Sequence, residues 1–482
     1  MLKYNTPEVR TKKLKSKNRW LDRLRQLNSE YRWLMPLISV VVVFGLFLAH
    51  AWATIDPDFG WHLQAGNYIR EHGIPAHDVF TYSAKNFPWI DHEWGNDVLV
   101  SLLFGIGGFG LLAVFYSGLW TAAFFIAGSW RGRLAIFILG FAAVIGYSGV
   151  RTVVWTALIL TILLRMIKAK NKYIRWSIPL LFLVWANLHA GFVAGFGVLG
   201  YYAVKKHNRE GLLILAGCVL ATFINPYGPQ IYVEIWRTLS DRELNTQISE
   251  WHRFWMPTLS WLYLILWSAG FWLFTRRKVG DLISVSLLFM LSSLSANRNV
   301  PLFVVASLGE MNSYYEQART AINLQLGRAH KAIIALFLGV LVSGLYFMGS
   351  AVYHPLTRDR ESPYPQEAVA YLQAHPCQGN LFNDYNYGGY LIWKLPNQKI
   401  YIDGRMASWR DGSGHKYLDT YFSLLDKKSL QNQVFKKYNV RCVLMGSKKE
   451  DIAFLKRLLH SNWKLVVRSH GSFLFLEPDN KT

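Results

Sequence analysis

Residues 34–66, LMPLISVVVVFGLFLAHAWATIDPDFGWHLQAG, contain the change of character on which the fold depends. Positions 34–53 carry no Asp, Glu, Lys or Arg, and a run of this length can cross a lipid bilayer as a helix. Directly beyond it come Asp56, Asp58 and His62. Ionisable residues at the edge of a membrane span are costly, and they indicate a functional site.

The rest of the chain continues this alternation. Hydrophobic residues make up 52% of the 482 positions and occur in blocks separated by short polar stretches, which is typical of multi-spanning helical membrane proteins. We predict a mainly α, polytopic membrane protein with about eleven transmembrane helices, and a shorter amphipathic helix outside the membrane at 94–106. The candidate spans are 34–53, 108–128, 134–148, 153–167, 176–190, 191–204, 211–224, 258–275, 281–296, 299–312 and 332–350.

The net charge of +22 would suit a nucleic-acid-binding protein, but the basic residues are not evenly spread. Lys and Arg are concentrated in residues 1–33 and in every second connection between the candidate spans, which all lie on the same side of the membrane. The positive-inside rule assigns those segments to the cytoplasm. We therefore expect a cell-membrane protein with a basic cytoplasmic tail at 1–33 and a transmembrane domain at 34–352, whose first outer loop is 54–107. Residues 353–482 form an extracytoplasmic domain, membrane lipids are partners, and nucleic acid is not.

This topology places the unexpected polar residues on one side of the membrane. Some of them lie at helix ends, where an apolar residue would cost less. One outward-facing cavity is predicted rather than a conduit, because no matching cluster occurs on the inner side. The residues on the outer side are Asp56, Asp58, His62, His92, Glu93, Arg151, His189, Asn225, Glu250, His252 and Arg298.

The first outer loop carries the densest part of this set. Asp56 is expected to cap a helix, with Asp58 in its first turn. Asp58, His62 and Gly66 recur every four residues and so share one helical face, where the glycine would leave room for a substrate. Trp61 points elsewhere and is expected to anchor the helix at the lipid interface.

A second short helix in the same loop begins near Asp91, with His92 and Glu93 at its start. Ordinary helix caps would explain the carboxylates but not the histidines. Paired carboxylates can take a proton from a hydroxyl group, or Asp56 and Asp58 can hold a divalent cation such as Mg²⁺ or Mn²⁺. Arg151 and Arg298 are candidates for binding a phosphate group.

The motifs in this order resemble the GT-C superfamily of multi-spanning glycosyltransferases, which use polyprenyl-phosphate sugars, and most closely a bacterial GT-C-like group. The resemblance runs from about residue 34 to the C-terminal end. The motifs that carry it are DPDFGWHLQAG (56–66), GIPAHDVFTYS (73–83), HEW (92–94), WANLHAGF (185–192), INPYG (224–228), SEW (249–251), RNVPLF (298–303) and NDYNYGGYLIW with YIDGR (383–405).

The resemblance implies an inverting transfer of a sugar from a polyprenyl-phosphate donor to an acceptor hydroxyl of a glycan, lipid or protein at the outer face of the membrane. It gives the role of base or metal ligand to Asp58, with Asp56 and Glu93 beside it. The remaining candidates divide between two tasks. Those for the donor phosphate are Arg151, His189, Arg298 and His62, and those for acceptor contact or support are His92, Glu250, Asp403 and Arg405.

Residues 353–482 predict a small α/β domain, since strand-like and helix-like segments alternate there. Strands are expected in GNLFN, KIYIDGR, VRCVLMG and a hairpin in KLVVRSHGSFLFLEP, and helices in YPQEAVAYLQAHP, SLQNQVFKKYN and EDIAFLKRLLHS. Asp403 and Arg405 could pair with each other or hold the domain over the membrane part. Cys377 and Cys442 could form a disulfide in an oxidising space, but two unrelated thiols are the interpretation we favour.

Two other functions fit part of the sequence. A transporter or flippase of lipid-linked sugars would need polar groups at the membrane midplane and internal repeats, and the sequence has neither pattern. A non-catalytic assembly protein would require the carboxylates of the first outer loop to be helix caps only.

Overall fold

The computed structural model describes residues 34–130, 132–206, 209–252, 259–274, 284–323, 364–448, 451–469 and 471–477. Within these ranges the chain is mainly helical and ends in a small sheet, as the sequence predicts. The expected span 332–350 lies outside the described residues.

Between residues 34 and 323 the described chain is mainly helical, and its longest described connection is the segment 73–93 between two helices. The predicted spans at 34–53 and 153–167 match observed helices to the residue, and most others agree to within a few residues. In chain order the helices are α1 (Leu34–Ala53), α2 (Phe59–His72), α3 (Trp94–Gly128), α4 (Leu134–Val144), α5 (Val153–Ile167), α6 (Lys172–Trp176), α7 (Ile178–Leu188), α8 (Phe192–Lys206), α9 (Arg209–Thr222), α10 (Gln230–Ser240), α11 (Leu244–Gln247), α12 (Leu259–Phe274), α13 (Val285–Ser295) and α14 (Val300–Asn323).

Few of these helices are long enough to cross a membrane by themselves. Of the described residues, α1 and α3 form the two helices that combine sufficient length with sufficient apolar character. An eleven-residue helix such as α4 or α13 extends about 16 Å, against a hydrocarbon core of about 30 Å. The observed helices therefore agree with the predicted segments, while the number of membrane crossings stays a prediction.

A glycine pair divides α3 into two halves. Gly107 has φ −142° and ψ 18°, and Gly108 has φ +61° and ψ −160°, so neither residue is helical. A positive φ is accessible to glycine at little cost, which is why the break falls here. The two halves correspond to the amphipathic helix predicted at 94–106 and the span predicted at 108–128.

Aromatic side chains fill the interior of the helical part. The ring of Phe47 on α1 lies 5.5 Å from that of Trp120, 5.1 Å from Phe124 and 5.0 Å from Phe141, measured between ring centroids. All four side chains are fully buried. Rings at these distances add stabilisation to that of burial, and they hold α1 against α3 and α4.

The described residues of the C-terminal domain form five α-helices and a four-stranded sheet. The sheet has the order β1-β2-β4-β3, in which β1 and β2 are parallel and the other neighbours antiparallel. The predicted hairpin is formed by β3 and β4. The elements are α15 (Gln366–Ala374), β1 (Asn380–Asn383), α16 (Gly388–Lys394), α17 (Tyr417–Asp426), α18 (Lys428–Lys437), β2 (Val440–Gly446), α19 (Ile452–His460), β3 (Lys464–Ser469) and β4 (Ser472–Leu476).

The strand predicted in KIYIDGR is wrong. Ile400 alone forms parallel bridges, to Thr81 and to Leu381. Beyond it the backbone is held by the side chain of Asn383, whose Oδ1 accepts the Tyr401 N–H at 2.8 Å and whose Nδ2 donates to the Ile402 carbonyl at 2.8 Å. The buried side chain of Asn383 thus makes the backbone hydrogen bonds that a neighbouring strand would otherwise make.

The preference for two unrelated thiols is also wrong. Cys377 and Cys442 form a disulfide bond with their Cα atoms 6.1 Å apart. Cys377 lies just before β1 and Cys442 within β2, so the bond joins the two parallel strands. Two parallel strands must be joined by a long stretch of chain, and the disulfide bond links the two ends of that stretch directly.

The first outer loop and the C-terminal domain touch backbone to backbone. A Cβ on Gly60 would lie 1.9 Å from the carbonyl oxygen of Gly389, and one on Gly389 would lie 2.1 Å from that of Pro57. The glycine pair Gly388-Gly389 of the NDYNYGGYLIW motif therefore allows α2 and α16 to pack closely together. Gly66 leaves no room for a substrate, contrary to the prediction, because its Cβ would lie 1.9 Å from the Asp97 carbonyl oxygen.

Arg405 fixes this contact from the C-terminal side. Its Nη2 lies 2.7 Å from Asp403 and 2.9 Å from Asp78 of the first outer loop, and all three side chains are almost fully buried. Four aromatic rings surround the guanidinium group, and that of Trp61 is 5.9 Å away. The prediction that Trp61 is a lipid anchor is wrong, because its side chain is buried in the core of the C-terminal domain.

A second attachment joins the C-terminal domain to the segment after α10. The fully buried ammonium group of Lys416 lies 2.9 Å from the carboxylate of Asp241 and 3.3 Å from that of Glu243. It also donates to Oε1 of Gln247 at 2.9 Å. Segments far apart in sequence are thus assembled around one end of the helices.

Candidate active site

The turn between α1 and α2 orients the first two carboxylates. Oδ1 of Asp56 accepts the N–H of Asp58 at 2.9 Å, and the Asp56 carbonyl accepts the N–H of Phe59 at 3.1 Å. The N-cap residue of α2 is Asp58 and not Asp56 as predicted, since α2 begins at Phe59 and Asp58 lies just before the helix rather than in its first turn. The turn, rather than the helix, therefore sets the direction of the Asp58 carboxyl group.

Arg151 links two carboxylates from distant segments. Its Nε lies 2.6 Å from Oδ2 of Asp56, and its Nη2 contacts Oε1 of Glu250 in the short 3₁₀ helix Ser249–Trp251. Nη1 donates to the Gly146 carbonyl at 3.1 Å. Since each nitrogen of the guanidinium group has a partner, Arg151 would have to exchange one of them to bind a phosphate.

The carboxyl group of Asp58 has a strongly raised pKa. Burial, followed by the nearby charge of Asp56, raises its pKa to about 7. Among the described residues no basic group forms an ion pair with it. Its Oδ1 is so close to Gly404 that a Cβ there would lie 2.1 Å away, which means that the C-terminal domain covers this carboxyl group.

Glu93 is surrounded by three histidines. Its carboxylate oxygens lie 3.7 Å from Nε2 of His62, 3.9 Å from that of His92 and 3.4 Å from that of His189. Burial alone would raise the pKa of Glu93, but the three histidines outweigh it and hold the pKa at about 2. Glu93 is therefore an anion that the site keeps charged, unlike Asp58.

Two of these histidines are held in place by further hydrogen bonds. Nδ1 of His62 lies 2.6 Å from Asp97. Nδ1 of His189 accepts the Gly191 N–H at 3.1 Å and the Thr156 hydroxyl at 2.6 Å, so that its Nε2 carries the proton and faces Glu93. The sequence analysis missed Thr156, whose hydroxyl type is common inside membrane helices and gives no distinguishing signal.

Arg298 is the less engaged of the two arginines. Its guanidinium group lies 4.3 Å from the centroid of the Trp251 ring, and no carboxylate among the described residues forms an ion pair with it. Burial lowers the pKa of Arg298, against the opposing effect of the charges of Glu250 and Glu93. It is a half-buried cation that a ligand anion could engage without breaking an existing pair.

Most of the predicted residues fall into two contact groups that act on each other through charge. Asp56, Arg151 and Glu250 are paired, Glu93 binds the three histidines, and the charge of Arg151 also acts on Asp58 and Arg298. Asp403 and Arg405 lie apart in the closed contact described above and support the domain.

Solvent reaches these groups through their partly exposed members. The side chains of His92 and Glu250 are 34% and 35% exposed. Cavities of about 710 and 260 Å³ lie elsewhere, beside Arg165, Lys168 and Arg175, and include no member of either group.

The predicted cation site has no preformed pair of ligands. Both oxygens of Asp56 are engaged, one by the Asp58 N–H and the other by Arg151. No group of three or more His, Cys, Asp or Glu side chains in the described ranges is arranged to hold a metal ion. These residues do not fit a cation shared by Asp56 and Asp58 as they stand, and we derive no step through one.

Comparison with known proteins rests on structure. No protein-family model matches the chain, and no curated protein matches its sequence. The oligosaccharyltransferase AglB from Archaeoglobus fulgidus, solved with an inhibitory peptide and a dolichol-phosphate, has 12% identity and a TM-score of 0.50 over 87% of this chain and 70% of that one. The same organism's oligosaccharyltransferase with Zn and sulfate gives 12% and 0.50 over 92% and 74%. The arabinofuranosyltransferase AftD from Mycobacteria gives 10% and 0.54 over 94% of this chain and 40% of that one.

These similarities define a fold class. This chain shares its overall fold with an oligosaccharyltransferase and an arabinofuranosyltransferase, whereas its membership of the GT-C superfamily stays a prediction. At identities of 10–12% the likeness concerns the fold, and the narrower bacterial group stays a prediction.

Proposed function

We propose that this protein is an inverting glycosyltransferase that moves a sugar from a polyprenyl-phosphate donor to an acceptor hydroxyl at the outer face of the cell membrane. The observation that carries the proposal is the position of Asp58, whose pKa is about 7: its N–H donates to Asp56, and Asp56 is ion-paired with Arg151. Transfer from a phosphate-linked donor requires a base for the nucleophile and positive charge for the leaving group.

Asp58 is the proposed general base. A base works best when its pKa lies near the operating pH, and about 7 meets that condition. Its carboxylate takes the proton of the acceptor hydroxyl while the hydroxyl oxygen bonds to the anomeric carbon. The bond from that carbon to the phosphate oxygen breaks on the opposite face, so the configuration inverts.

The leaving phosphate takes the electron pair of the broken bond, and we assign its charge to Arg298 first and to Arg151 second. Arg298 needs to release no carboxylate, whereas Arg151 holds Asp56 and Glu250. The N–H at Nε2 of His189 faces Glu93 at 3.4 Å, so His189 would bind the phosphate only by releasing that contact. His92 and Glu250 line the exposed side, where an acceptor would enter.

Two findings support a lipid-linked donor. The fold is shared with an oligosaccharyltransferase that was solved with a dolichol-phosphate. The two groups also lie at one end of the helices, on the side to which the basic-residue distribution assigns the outer face. The acceptor class, whether glycan, lipid or protein, follows from neither finding.

The test is transfer of label by the purified full-length chain in lipid nanodiscs, with a panel of polyprenyl-phosphate sugars and a cell-envelope extract as acceptor. Asp58→Asn should reduce the rate by about 10²- to 10⁴-fold, the usual contribution of a general base. Arg298→Gln should raise KM for the donor. The exposed Glu367, on the first described helix of the C-terminal domain, provides a control as Glu367→Gln, which should transfer like wild type.

Each alternative function has its own outcome in this system. Wild-type activity in Asp58→Asn would remove the proposed base. Movement of the lipid-linked sugar between leaflets without cleavage of its phosphate bond would instead identify a flippase.

A further inference from the structure

The helix α10 exposes a stripe of large apolar side chains. Val233 is 55% exposed, Trp236 is 72% exposed and Leu239 is 58% exposed. Their spacing of three residues puts them on one face, while Ile231 and Glu234 are buried on the other. Water is a poor partner for such a stripe, so a partner of a different kind is expected to cover it.

The end of the preceding helix touches the same side of α10, because the hydroxyl of Tyr232 lies 2.5 Å from that of Thr222, and α9 also exposes apolar side chains. Leu212, Leu213 and Leu220 of α9 are each more than half exposed, and Ile224 in the turn after α9 is 62% exposed. Apolar side chains of this size along a helix of a membrane protein are those that face lipid. The stripe on α10 extends this surface beyond the end of α9.

The turn between the two helices is fixed by Asn225. Its Nδ2 donates to the carbonyl oxygens of Thr222 at 2.7 Å and Gly228 at 3.0 Å, and its Oδ1 accepts the Tyr227 N–H at 2.8 Å. The direction in which α10 leaves α9 is thus set by a closed side-chain network. The stripe is held in position rather than free to fold away.

The opposite face of α10 reaches the loop that carries Asp58. The Tyr227 hydroxyl, just before the helix, donates to the Pro75 carbonyl at 3.4 Å. The guanidinium group of Arg237 lies 5.0 Å from the centroid of the Phe87 ring, which stacks on Trp409 of the C-terminal domain at 4.1 Å. α10 therefore lies between the apolar surface of α9 and the first outer loop.

We propose that α10 is an interfacial helix whose apolar face, formed by Val233, Trp236 and Leu239, is immersed in the headgroup region of the outer leaflet. A helix with one apolar face, a central tryptophan and a buried polar side suits that environment. Lipid is favoured over a protein partner because the stripe continues the apolar surface of α9. The inference rests on the proposed outer location of this loop.

The experiment is spin labelling of single added cysteines in the full-length chain in lipid nanodiscs. Trp236→Cys is the test position, Leu220→Cys on α9 is the lipid-facing control, and Leu459→Cys, 52% exposed on the C-terminal domain, is the water-facing control. The native cysteines interfere little, because Cys218 is buried and the other two are bonded. Collision rates of each label with oxygen, which concentrates in lipid, and with a water-soluble nickel chelate are compared.

Immersion of α10 predicts an oxygen-to-nickel ratio at position 236 several-fold above that at position 459 and close to that at position 220. A ratio equal to that at position 459 would overturn the proposal in favour of a water-facing helix. Low collision rates with both reagents would overturn it in favour of a protein partner. No turnover is involved, so this result and the transfer assay can fail independently.

Discussion

Replacing Asp58 by Asn should slow catalysis by about 10²- to 10⁴-fold and stabilise the fold. The pKa of this carboxyl group is about 7 in the folded chain against an ordinary value of 3.8, because burial and Asp56 penalise its charged form. A raised folded-state pKa means that ionisation opposes folding. The cost is absent below pH 3.8, grows as the pH rises towards 7 and is constant above it.

The size of the effect follows from the shift. At about 1.4 kcal/mol for each pKa unit, the charged carboxylate costs about 4 kcal/mol above pH 7 and about 2 kcal/mol at pH 5. These are upper values, since Asp58 retains some contact with solvent. Asn is nearly the same shape as the protonated acid and carries none of this cost, so its advantage should be nearly three times as large at pH 8 as at pH 5.

The assay is equilibrium unfolding of both proteins in mixed detergent micelles at pH 5 and pH 8, followed by tryptophan fluorescence. Asp56→Asn is the matched control, with the same chemical change two residues away. It breaks an ion pair of 2.6 Å to Arg151 and should destabilise at both pH values. If Asp58→Asn proves less stable than wild type, or its advantage is independent of pH, the carboxyl group is not held near neutrality and its role as base loses its support.

Further predictions concern the attachment of the C-terminal domain and the wild-type pH profile. Gly389→Ala places a Cβ 2.1 Å from the Pro57 carbonyl oxygen and should cost about 2 kcal/mol in the same unfolding assay, whereas Gly412→Ala meets open space and should be neutral. Cys442→Ser opens a disulfide that bridges 65 residues and should cost about 4 kcal/mol, and equal stability of the two proteins would show that the bond does not form. The transfer rate of the wild type should rise with pH to a plateau above about 7, as Asp58 loses its proton, and a rate that falls over this range would exclude it as the base.

Patterns that depend on neighbouring residues were readable from the sequence. Long apolar runs predicted the helices, and alternation with a central glycine predicted the hairpin of β3 and β4. The positive-inside rule grouped the polar residues on one side without any knowledge of contacts. The structure then joins Asp56, Arg151 and Glu250, which that grouping had placed together.

Pairings between distant segments were not readable. Nothing local indicates that Arg151 would choose Glu250, or that Cys377 would meet Cys442 across two strands. The strand pattern of KIYIDGR was overridden by the buried amide of Asn383, a tertiary effect. Trp61 has the composition of an interfacial anchor, but a domain encoded far downstream covers it.

The side chains of Trp61, Ala65 and Phe87 complete the hydrophobic core of the C-terminal domain, although they belong to the first outer loop. A truncated chain beginning near residue 364 would lack these side chains, would expose the apolar surface that they cover, and should aggregate. A soluble version would need the loop grafted onto it. For the same reason, recombination between relatives can exchange the C-terminal domain only together with the first outer loop, which is encoded near the opposite end of the gene.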